Sequence, residues 1–367
     1  TTKNISVKCF PLANDLGSPI ALFDWESVSL NGGTIFHDAN NILIYHPPID
    51  FVGLDSFTYT VTDGNNRFDT AIVKVAVNVP IDFNQHRTQI LNNVNNIINI
   101  GVPGNIAVFG SQSFGLFHDG SYNPKIAAGS VGKGKVVVFG HPGYLNFTYD
   151  GADTGQLYLN IVRWLADTQS FEVRIISNIS ETVTWLIGKG FTNVTYYTDW
   201  YNHLANVQVA VIGFPNRSIP DSQINSLFEY VANGGGLVIG DGGWIVEAYG
   251  GYKLADSPFN KLLYPMGIGL AKGYNRSTDT SNVCSDFANA LFAINIVGTQ
   301  NFSDIEKAEA FQSLNLIVDV IPKYSVVYYD LINAMLIRSE NLNPSPTQPV
   351  ADPIDKFSLI WESDYIR

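Results

Sequence analysis

The residues best suited to chemistry stand at turns that follow short apolar segments. Asp241 lies in the glycine-rich turn 240–243, directly after the apolar segment 237–239, and His141 follows the apolar segment 136–139. In a parallel sheet covered by helices, ligands and catalytic groups gather at the carboxyl ends of the strands. A strand-end histidine with a nearby carboxylate can serve as a general base. We therefore expect any functional cleft at these two turns.

The expected cleft carries no nucleophile. A reactive thiolate requires a neighbouring base or a helix N-terminus, whereas Cys284, in SNVCSDF, has no strand-turn-helix context. The six histidines include no His-Glu-x-x-His pair, the motif that holds zinc in many hydrolases. We predict a non-enzymatic protein with no catalytic residues and interpret His141 as a turn histidine. A hydrolase that uses Asp241 and His141 is the alternative.

Composition excludes some partners. Only 15% of the 367 residues are charged and the formal net charge is −12, which argues against binding to nucleic acid or anionic membranes. No apolar run reaches the ~18 residues that a membrane helix needs. Because the sequence starts at Thr1, we expect a processed form or a fragment. Cys9 and Cys284 leave one bridge, two free thiols or an intermolecular link open.

Asn-x-Ser/Thr sequons are frequent in this sequence. With the low charge, they favour an extracellular protein that carries N-linked glycans; chance sequons in an Asn-rich chain are the alternative. The seven acceptor residues are Asn4, Asn146, Asn178, Asn193, Asn216, Asn275 and Asn301.

Residues 1–79, the N-terminal region, show the period-two pattern of β-strands. Phe57, Tyr59 and Val61 alternate with threonines, and the turn at 63–66 supplies residues that tolerate positive φ. Short strands separated by turns about ten residues apart predict an all-β Ig-like sandwich.

Four segments of this region resemble the cadherin-like, Ig-like repeats of surface proteins and adhesins: PLANDLGSPI, NGGTI, YHPPIDFVGLDSFTYTVTDG and DTAIVKVAV. The resemblance implies a spacer or adhesive unit at the cell surface, and some such repeats bind calcium. Calcium is then the one cofactor to consider, although solvated turn residues are the alternative, since the ion needs six or more oxygens in one place. The candidate ligands are Asp15, Asp55, Asp63 and Asp69.

Residues 80–338, the central region, alternate between helical and strand patterns, which predicts a mostly parallel α/β sheet covered on both faces. The predicted helices are 90–100, 157–165, 181–189, 221–231, 305–317 and 326–337. The predicted strands are 106–109, 136–139, 171–176, 194–197, 207–212 and 237–239.

Residues 101–270 look like a glutamine-amidotransferase-like domain that precedes the catalytic domain of gluzincin mucin-degrading peptidases and occurs in channel-associated factors. The resemblance lies in GVPGNIAVFG, VGKGKVVVFGHPGYL, LNIVRWLAD, YVANGGGLVIGDGGW and NKLLYPMGIGL. It implies a degenerate α/β domain, because active amidotransferases place a cysteine where this chain has Asp241. It also implies an alternative function, the glycan-binding accessory region of a secreted mucin-directed metallopeptidase without its catalytic domain.

Four aromatic residues are candidates for stacking on a carbohydrate ligand, with packing in the core or an interface as the alternative. They are Tyr196, Tyr197, Trp200 and Tyr201.

Residues 339–367, the C-terminal tail, combine a proline-rich extended segment with a strand-forming one. Its Pro-Val-Ala-Asp sequence looks like the opening strand that the repeat family has before the segment matched by residues 1–12. We hypothesise that the tail of one subunit completes the sandwich of the next and so builds a filament, a homopolymer. A tail that packs on its own chain, is disordered or opens a further repeat is the alternative. The assembly residues are Pro349, Val350, Ala351, Phe357, Leu359 and Trp361.

Overall fold

The structure of the protein is a computed structural model, and it describes most of the chain up to residue 320. The predicted helix 326–337 and the whole C-terminal tail, including Pro349, Val350, Ala351, Phe357, Leu359 and Trp361, lie outside the described residues. The described residues are 1–14, 19–38, 41–146, 151–213, 219–250, 253–274, 281–294, 296, 302–317 and 320.

The N-terminal region is built from two antiparallel sheets of three strands each within the described residues. The strands are β1 (Val7–Cys9), β2 (Ala21–Trp25), β3 (Thr34–His37), β4 (Leu43–His46), β5 (Gly53–Thr62) and β6 (Phe68–Val77). One sheet has the order β1-β4-β3 and the other β2-β5-β6. Tyr45 and Phe57, one from each sheet, lie in the same buried core with stacked rings. The period-two pattern of β5 is confirmed, since Phe57 and Tyr59 are buried.

The predicted helix 90–100 is wrong. The helix α1 (Phe83–Ile90) instead starts after Asp82, whose carboxylate accepts hydrogen bonds from two backbone N–H groups, and it ends where the prediction begins. Asn93 has φ +57°, a left-handed conformation that a continuing helix cannot hold. Val94 and Ile97 are buried all the same, so the apolar spacing reflects packing of an irregular segment rather than a helix.

The central region contains a mixed eight-stranded sheet of order β12-β11-β13-β14-β10-β9-β8-β16 and a separate antiparallel pair, β7 and β15. The strands are β7 (Gly104–Val108), β8 (Ser113–His118), β9 (Pro124–Val131), β10 (Gly134–Phe139), β11 (Ile175–Ser177), β12 (Val194–Tyr196), β13 (Val209–Gly213), β14 (Gly236–Gly240), β15 (Ile268–Tyr274) and β16 (Asn282–Val283). The run from β12 to β10 is parallel, whereas β9, β8 and β16 add antiparallel pairings. The sheet is therefore less parallel than predicted.

Helices cover both faces of this sheet. Along β14, Val238 points into a core that includes Leu157 and Trp164, while Leu237 and Ile239 point into a second core that includes Leu227. Because both faces are buried, the strand is apolar at every position between its terminal glycines. The remaining helices are α2 (Thr154–Ala166), α3 (Ser180–Gly188), α4 (Asp221–Ala232), α5 (Gly243–Ile245), α6 (Pro258–Leu263), α7 (Ala290–Ala293) and α8 (Asp304–Ile317).

The N-terminal region packs beside the amino ends of the parallel strands β10 and β14. The Lys74 ammonium on β6 lies 2.5 Å from the carboxylate of Glu229 on α4. The side-chain oxygen of Asn78 accepts a 2.6 Å hydrogen bond from the backbone N–H of Gly132, in the turn between β9 and β10. These contacts place β6 next to the strand beginnings of β10 and β14.

Candidate functional site

The carboxyl ends of β10 and β14, where the sequence predicts a cleft, are closed by backbone. Gly104 donates a 2.7 Å hydrogen bond to the carbonyl of Gly140. A Cβ at Gly140 would overlap the Gly104 carbonyl, and one at Gly104 would lie 2.9 Å from the Cα of Gly242. Three chain segments therefore meet where a substrate would have to lie, and only glycine permits that approach.

The segment that precedes β7 lies across the same strand ends. The hydroxyl of Tyr144 donates to the carbonyl of Ile98 at 3.2 Å, and the indole N–H of Trp244 donates to the carbonyl of Val102 at 2.9 Å. Segment 98–102 is thus fastened to residues that follow both strands.

Asp241 and His141 both stabilise turns. The Nδ1 atom of His141 accepts a 2.9 Å hydrogen bond from the N–H of Gly143, and burial lowers the pKa of His141 below its ordinary value. One carboxylate oxygen of the buried Asp241 accepts a 2.8 Å hydrogen bond from the N–H of Gly242. The geometry agrees with the interpretation of His141 as a turn histidine.

A buried lysine that the sequence analysis missed lies at this closed end. Lys125 on β9 is 2% exposed, and its backbone carbonyl accepts a hydrogen bond from Gly140. Its ammonium donates to the side-chain oxygen of Asn99 and, at 2.5 Å, to the hydroxyl of Ser281. Burial lowers the pKa of Lys125 to about 8. The only sequence signal is a lysine at the head of an otherwise uncharged strand.

The amino ends of the same strands border an open groove of about 740 Å³. Lys135 on β10 lines it, together with Gln208 just before β13 and Gly235 just before β14. Tyr201, Asn202, Asn206 and Asn233 also line it. The groove therefore lies at the opposite ends of these strands from the predicted cleft.

The polar groups of the groove walls are held in place. The ammonium of Lys135 donates to the carbonyl of Trp164 at 2.8 Å and lies 3.5 Å from the carboxylate of Asp167. The side-chain oxygen of Gln208 accepts a 3.0 Å hydrogen bond from the N–H of Arg174. The groove is thus largely preformed.

The four candidate stacking residues have different environments. Trp200 is 5% exposed in the core, so the prediction of a stacking role is wrong for this residue. Tyr197 stacks on His203 with ring centroids 3.7 Å apart, which occupies one of its faces. Tyr196, on the edge strand β12, is 46% exposed, and Tyr201 is 39% exposed. Of the four, Tyr201 alone lines the groove.

The candidate calcium ligands do not converge. Asp55 is buried and accepts hydrogen bonds from the hydroxyls of Ser29 and Tyr45 and from the N–H groups of Asn31 and Ser56. Burial alone would raise the pKa of Asp55, but these donors outweigh it and hold that pKa below its ordinary value. Asp55 therefore orders the core of the N-terminal region.

The other candidates lie elsewhere. Asp63 follows the far end of β5, about 26 Å from Asp55 at ~3.3 Å per residue of strand, and it pairs with Arg67 at 2.6 Å. Asp69 is exposed on β6, and Asp15 lies outside the described residues. Within the described part of the chain, no three His, Cys, Asp or Glu residues are grouped to hold a metal ion. The hypothesis of one calcium site is therefore wrong for Asp55 and Asp63, which lie too far apart to share it.

The described sequons also differ. Asn4 and Asn193 are exposed, and Asn146 is half-buried. The side-chain amide of Asn178 donates to the carbonyl of Gly213 at 2.5 Å and accepts from its N–H at 2.8 Å, so its nitrogen is already in use. The remaining three, Asn216, Asn275 and Asn301, lie outside the described residues.

Both cysteines are buried free thiols, which decides between the alternatives left open by the sequence. Burial raises the pKa of Cys9 to about 11 and that of Cys284 well above its ordinary value. Such thiols are unreactive near neutral pH. Among the described residues, no helix is long and apolar enough to cross a membrane.

Comparisons with known proteins match both regions. Residues 58–283, more than half of the chain, match the family model described as "TRPM8, N-terminal domain", and residues 1–76 match the model described as "Bacterial Ig domain". The chain belongs to the TRPM8 N-terminal domain family. This family membership agrees with the resemblance to channel-associated factors.

The curated relatives in this family are much longer proteins. TRPM8 channel-associated factor 2 from Bos taurus is 28% identical over 243 residues, which covers 64% of this chain and 25% of the relative. The Homo sapiens protein of the same name gives the same identity and coverage. TRPM8 channel-associated factor 3 from Rattus norvegicus is 29% identical over 46% of this chain and 17% of the relative. The chain thus spans about a quarter or less of these relatives.

Among solved structures, the chain is similar to the IMPa metallopeptidase from Pseudomonas aeruginosa. The TM-score is 0.41 and the identity 10%, over 70% of this chain and 26% of the metallopeptidase. A structure of IMPa from Pseudomonas aeruginosa in complex with an O-glycopeptide gives a TM-score of 0.40 and 12% identity, over 54% of this chain and 23% of that one.

Proposed function

We propose that this member of the TRPM8 N-terminal domain family is a non-enzymatic, extracellular structural or adhesive subunit. In this proposal the N-terminal region is an Ig-like sandwich that accepts a strand from another copy, and the central region is a degenerate glutamine-amidotransferase-like domain. The closed carboxyl ends at Gly104 and Gly140 support a role without catalysis. The relatives, named as channel-associated factors, support a role in binding other proteins.

The observation that carries this proposal is the edge of β6, which has no neighbouring strand along most of its length within the described residues. β6 is an edge strand of its sheet among the described residues. Thr1 and Lys3 pair with the C-terminal end of β6, through hydrogen bonds of 2.8 Å to residues 76 and 78. Within the described part of the chain, residues 68–74 therefore have no neighbouring strand on this side, and such an edge is a template for a strand from another chain.

The inner face of β6 becomes progressively less covered from residue 77 to residue 69. Val77 and Val75 are buried, Val73 is half-buried, and Ala71 and Asp69 are exposed. All five face the core side of the sheet, because they lie opposite inward-facing residues of β5. An added strand next to residues 69–73 would cover this face. The strand-forming tail of a neighbouring copy is the proposed donor, and repeated donation gives a filament.

Assembly is tested with the full chain. We expect oligomers or filaments in light scattering after size exclusion and in electron microscopy, and monomers after deletion of residues 341–367. Ala71→Glu, which places a charge on the uncovered face at an exposed position, should also yield monomers. Thr70→Glu, on the opposite face of β6, is the matched control and should assemble. A wild-type chain that stays monomeric at high concentration would overturn the proposal.

Glycan binding by an accessory region is the second candidate function. The specific observation in its favour is the groove at the amino ends of the parallel strands, where the exposed ring of Tyr201 lies among amide side chains. In an extracellular setting, N-linked glycans on the chain itself would fit best at the exposed Asn193, since the side-chain nitrogen of the exposed Asn4 already donates a 3.3 Å hydrogen bond to the carboxylate of Asp50.

A further inference from the structure

We infer that the groove at the amino ends of β10, β13 and β14 is an oligosaccharide-binding site in which Tyr201 provides the stacking ring. This inference rests on the second candidate function and is independent of strand addition to β6. It assigns a class of ligand to the groove, and it places the binding site at the amino ends of the strands rather than at their carboxyl ends.

The side chains that line the groove can bind both the hydroxyl groups and the C–H groups of a sugar. Asn202, Asn206, Gln208 and Asn233 line it, and a side-chain amide both donates and accepts hydrogen bonds, as a sugar hydroxyl requires. Tyr201 offers an apolar face for the C–H groups of a sugar ring and a hydroxyl for its rim. Polar and apolar groups thus occur side by side on one surface.

Tyr201 is exposed but anchored. Its ring makes an edge-to-face contact with the buried Trp200, with centroids 5.7 Å apart. The two residues belong to a short 3-10 helix at Trp200–Asn202 that follows β12. An aromatic ring that already packs against a buried neighbour loses little conformational freedom when a ligand stacks on it, and this favours binding.

The charges of the groove favour a neutral ligand over an anion. α2 ends at Ala166, which lines the groove, and α4 ends at Ala232, directly before the lining residue Asn233; helix C-termini carry partial negative charge. Lys135 already contacts Asp167, and Glu229 already contacts Lys74. The exposed Lys133 adds a positive charge at the rim. Apart from Lys133, each charged side chain of the lining therefore has a partner of opposite charge, which leaves little net charge to bind an anion.

The test compares two exposed tyrosines. The full chain is applied to a printed array of neutral and acidic oligosaccharides, and the strongest ligand is titrated by calorimetry against wild type, Tyr201→Ala, Tyr201→Phe and Tyr196→Ala. Tyr196 is the matched control because it is exposed, lies five residues away and is not part of the groove lining. Thermal unfolding of each variant checks that the fold is retained.

We expect Tyr201→Ala to weaken binding at least about tenfold, Tyr201→Phe to retain it within about threefold, and Tyr196→Ala to leave it unchanged. Three results would overturn the inference: no oligosaccharide binds to wild type, both alanine variants bind alike, or inorganic phosphate displaces the ligand. Assembly of the same variants is measured separately by size exclusion, so failure of glycan binding and failure of strand addition are distinguishable.

Discussion

The two ends of the parallel strands differ in what they leave open. At the carboxyl ends, the backbones of Gly104, Gly140 and Gly242 touch, and a lysine is buried beside them. At the amino ends, the same strands border a groove of about 740 Å³ with solvated charges. Strand polarity alone therefore does not locate a site. The decisive factor is whether the connecting segments leave space.

The closed end illustrates why the general rule fails here. Ligands bind at carboxyl ends when the loops that leave the strands diverge. In this protein segment 98–102 returns across those ends and is fastened by Tyr144 and Trp244. The glycines that suggested a functional turn instead serve close backbone packing.

The largest expected effect comes from filling the closed end. Gly140→Ala would push a methyl group into the carbonyl of Gly104. Since backbone on both sides has no freedom to withdraw, we expect the free energy of unfolding to fall by about 3 kcal/mol, or folding to fail. Urea unfolding followed by circular dichroism measures this.

Gly188→Ala is the matched control for that substitution. Nothing lies within 4 Å of a Cβ at Gly188, in the last turn of α3, and its φ is not positive. We expect stabilisation of roughly 0.4–1 kcal/mol. If Gly140→Ala were as stable as wild type, the carboxyl end would have room and the comparison between the two ends would fail.

A smaller effect is expected from the buried Lys125. Its pKa is lowered from 10.5 to about 8 in the folded protein, so between these pH values the unfolded chain binds a proton that the folded chain lacks. The free energy of unfolding should therefore rise with pH across this window, by at most about 1.4 kcal/mol per pH unit.

Lys125→Met removes this titration. The difference between wild type and variant should grow in favour of wild type from pH 8 to pH 10.5, as measured by urea unfolding at several pH values. Subtracting the variant cancels the titration of buried tyrosines that both chains share. Parallel pH profiles would show that Lys125 is solvated, and that the closed end is not dry.

The smallest effect is expected at the open end. The side chain of Asp167 is 94% exposed although its carboxylate lies 3.5 Å from the ammonium of Lys135. Asp167→Asn keeps a residue that tolerates the left-handed φ of +52° at this position. We expect a loss at the low end of the roughly 0.2–1 kcal/mol measured for exposed ion pairs. A loss as large as that from Gly140→Ala would contradict the contrast.

Much of the secondary structure follows from local sequence. The segments around β10, β13, β14, α2 and α4 are apolar or amphipathic enough that their type is evident, and the structure places them within a few residues of the predictions. β8 and β9 were missed: Gly, Ala and Ser make up half of β9, and the pairing of both strands is fixed by neighbouring strands. The helix predicted at 90–100 failed because the same apolar spacing serves an irregular segment.

The candidate sites were less predictable. Tyr201 and Trp200 are adjacent in sequence, but Tyr201 is exposed and Trp200 is buried. Asn178 and Asn193 are both sequon residues, but the side-chain amide of Asn178 is hydrogen-bonded to Gly213, whereas Asn193 is exposed. Lys125 gives almost no local signal, because its burial depends on Asn99 and Ser281, which are distant in sequence.

By itself, the sequence determined the division into a β-rich start and a helix-strand alternation, because hydrophobic periodicity is a local property of the chain. It also determined the absence of a zinc-hydrolase motif. Only the tertiary structure decided which ends of the parallel strands are open, which tyrosine is accessible and where the described part of the chain leaves the edge of β6 without a neighbouring strand. Those features depend on how distant backbone segments approach one another, and a local pattern does not encode that distance.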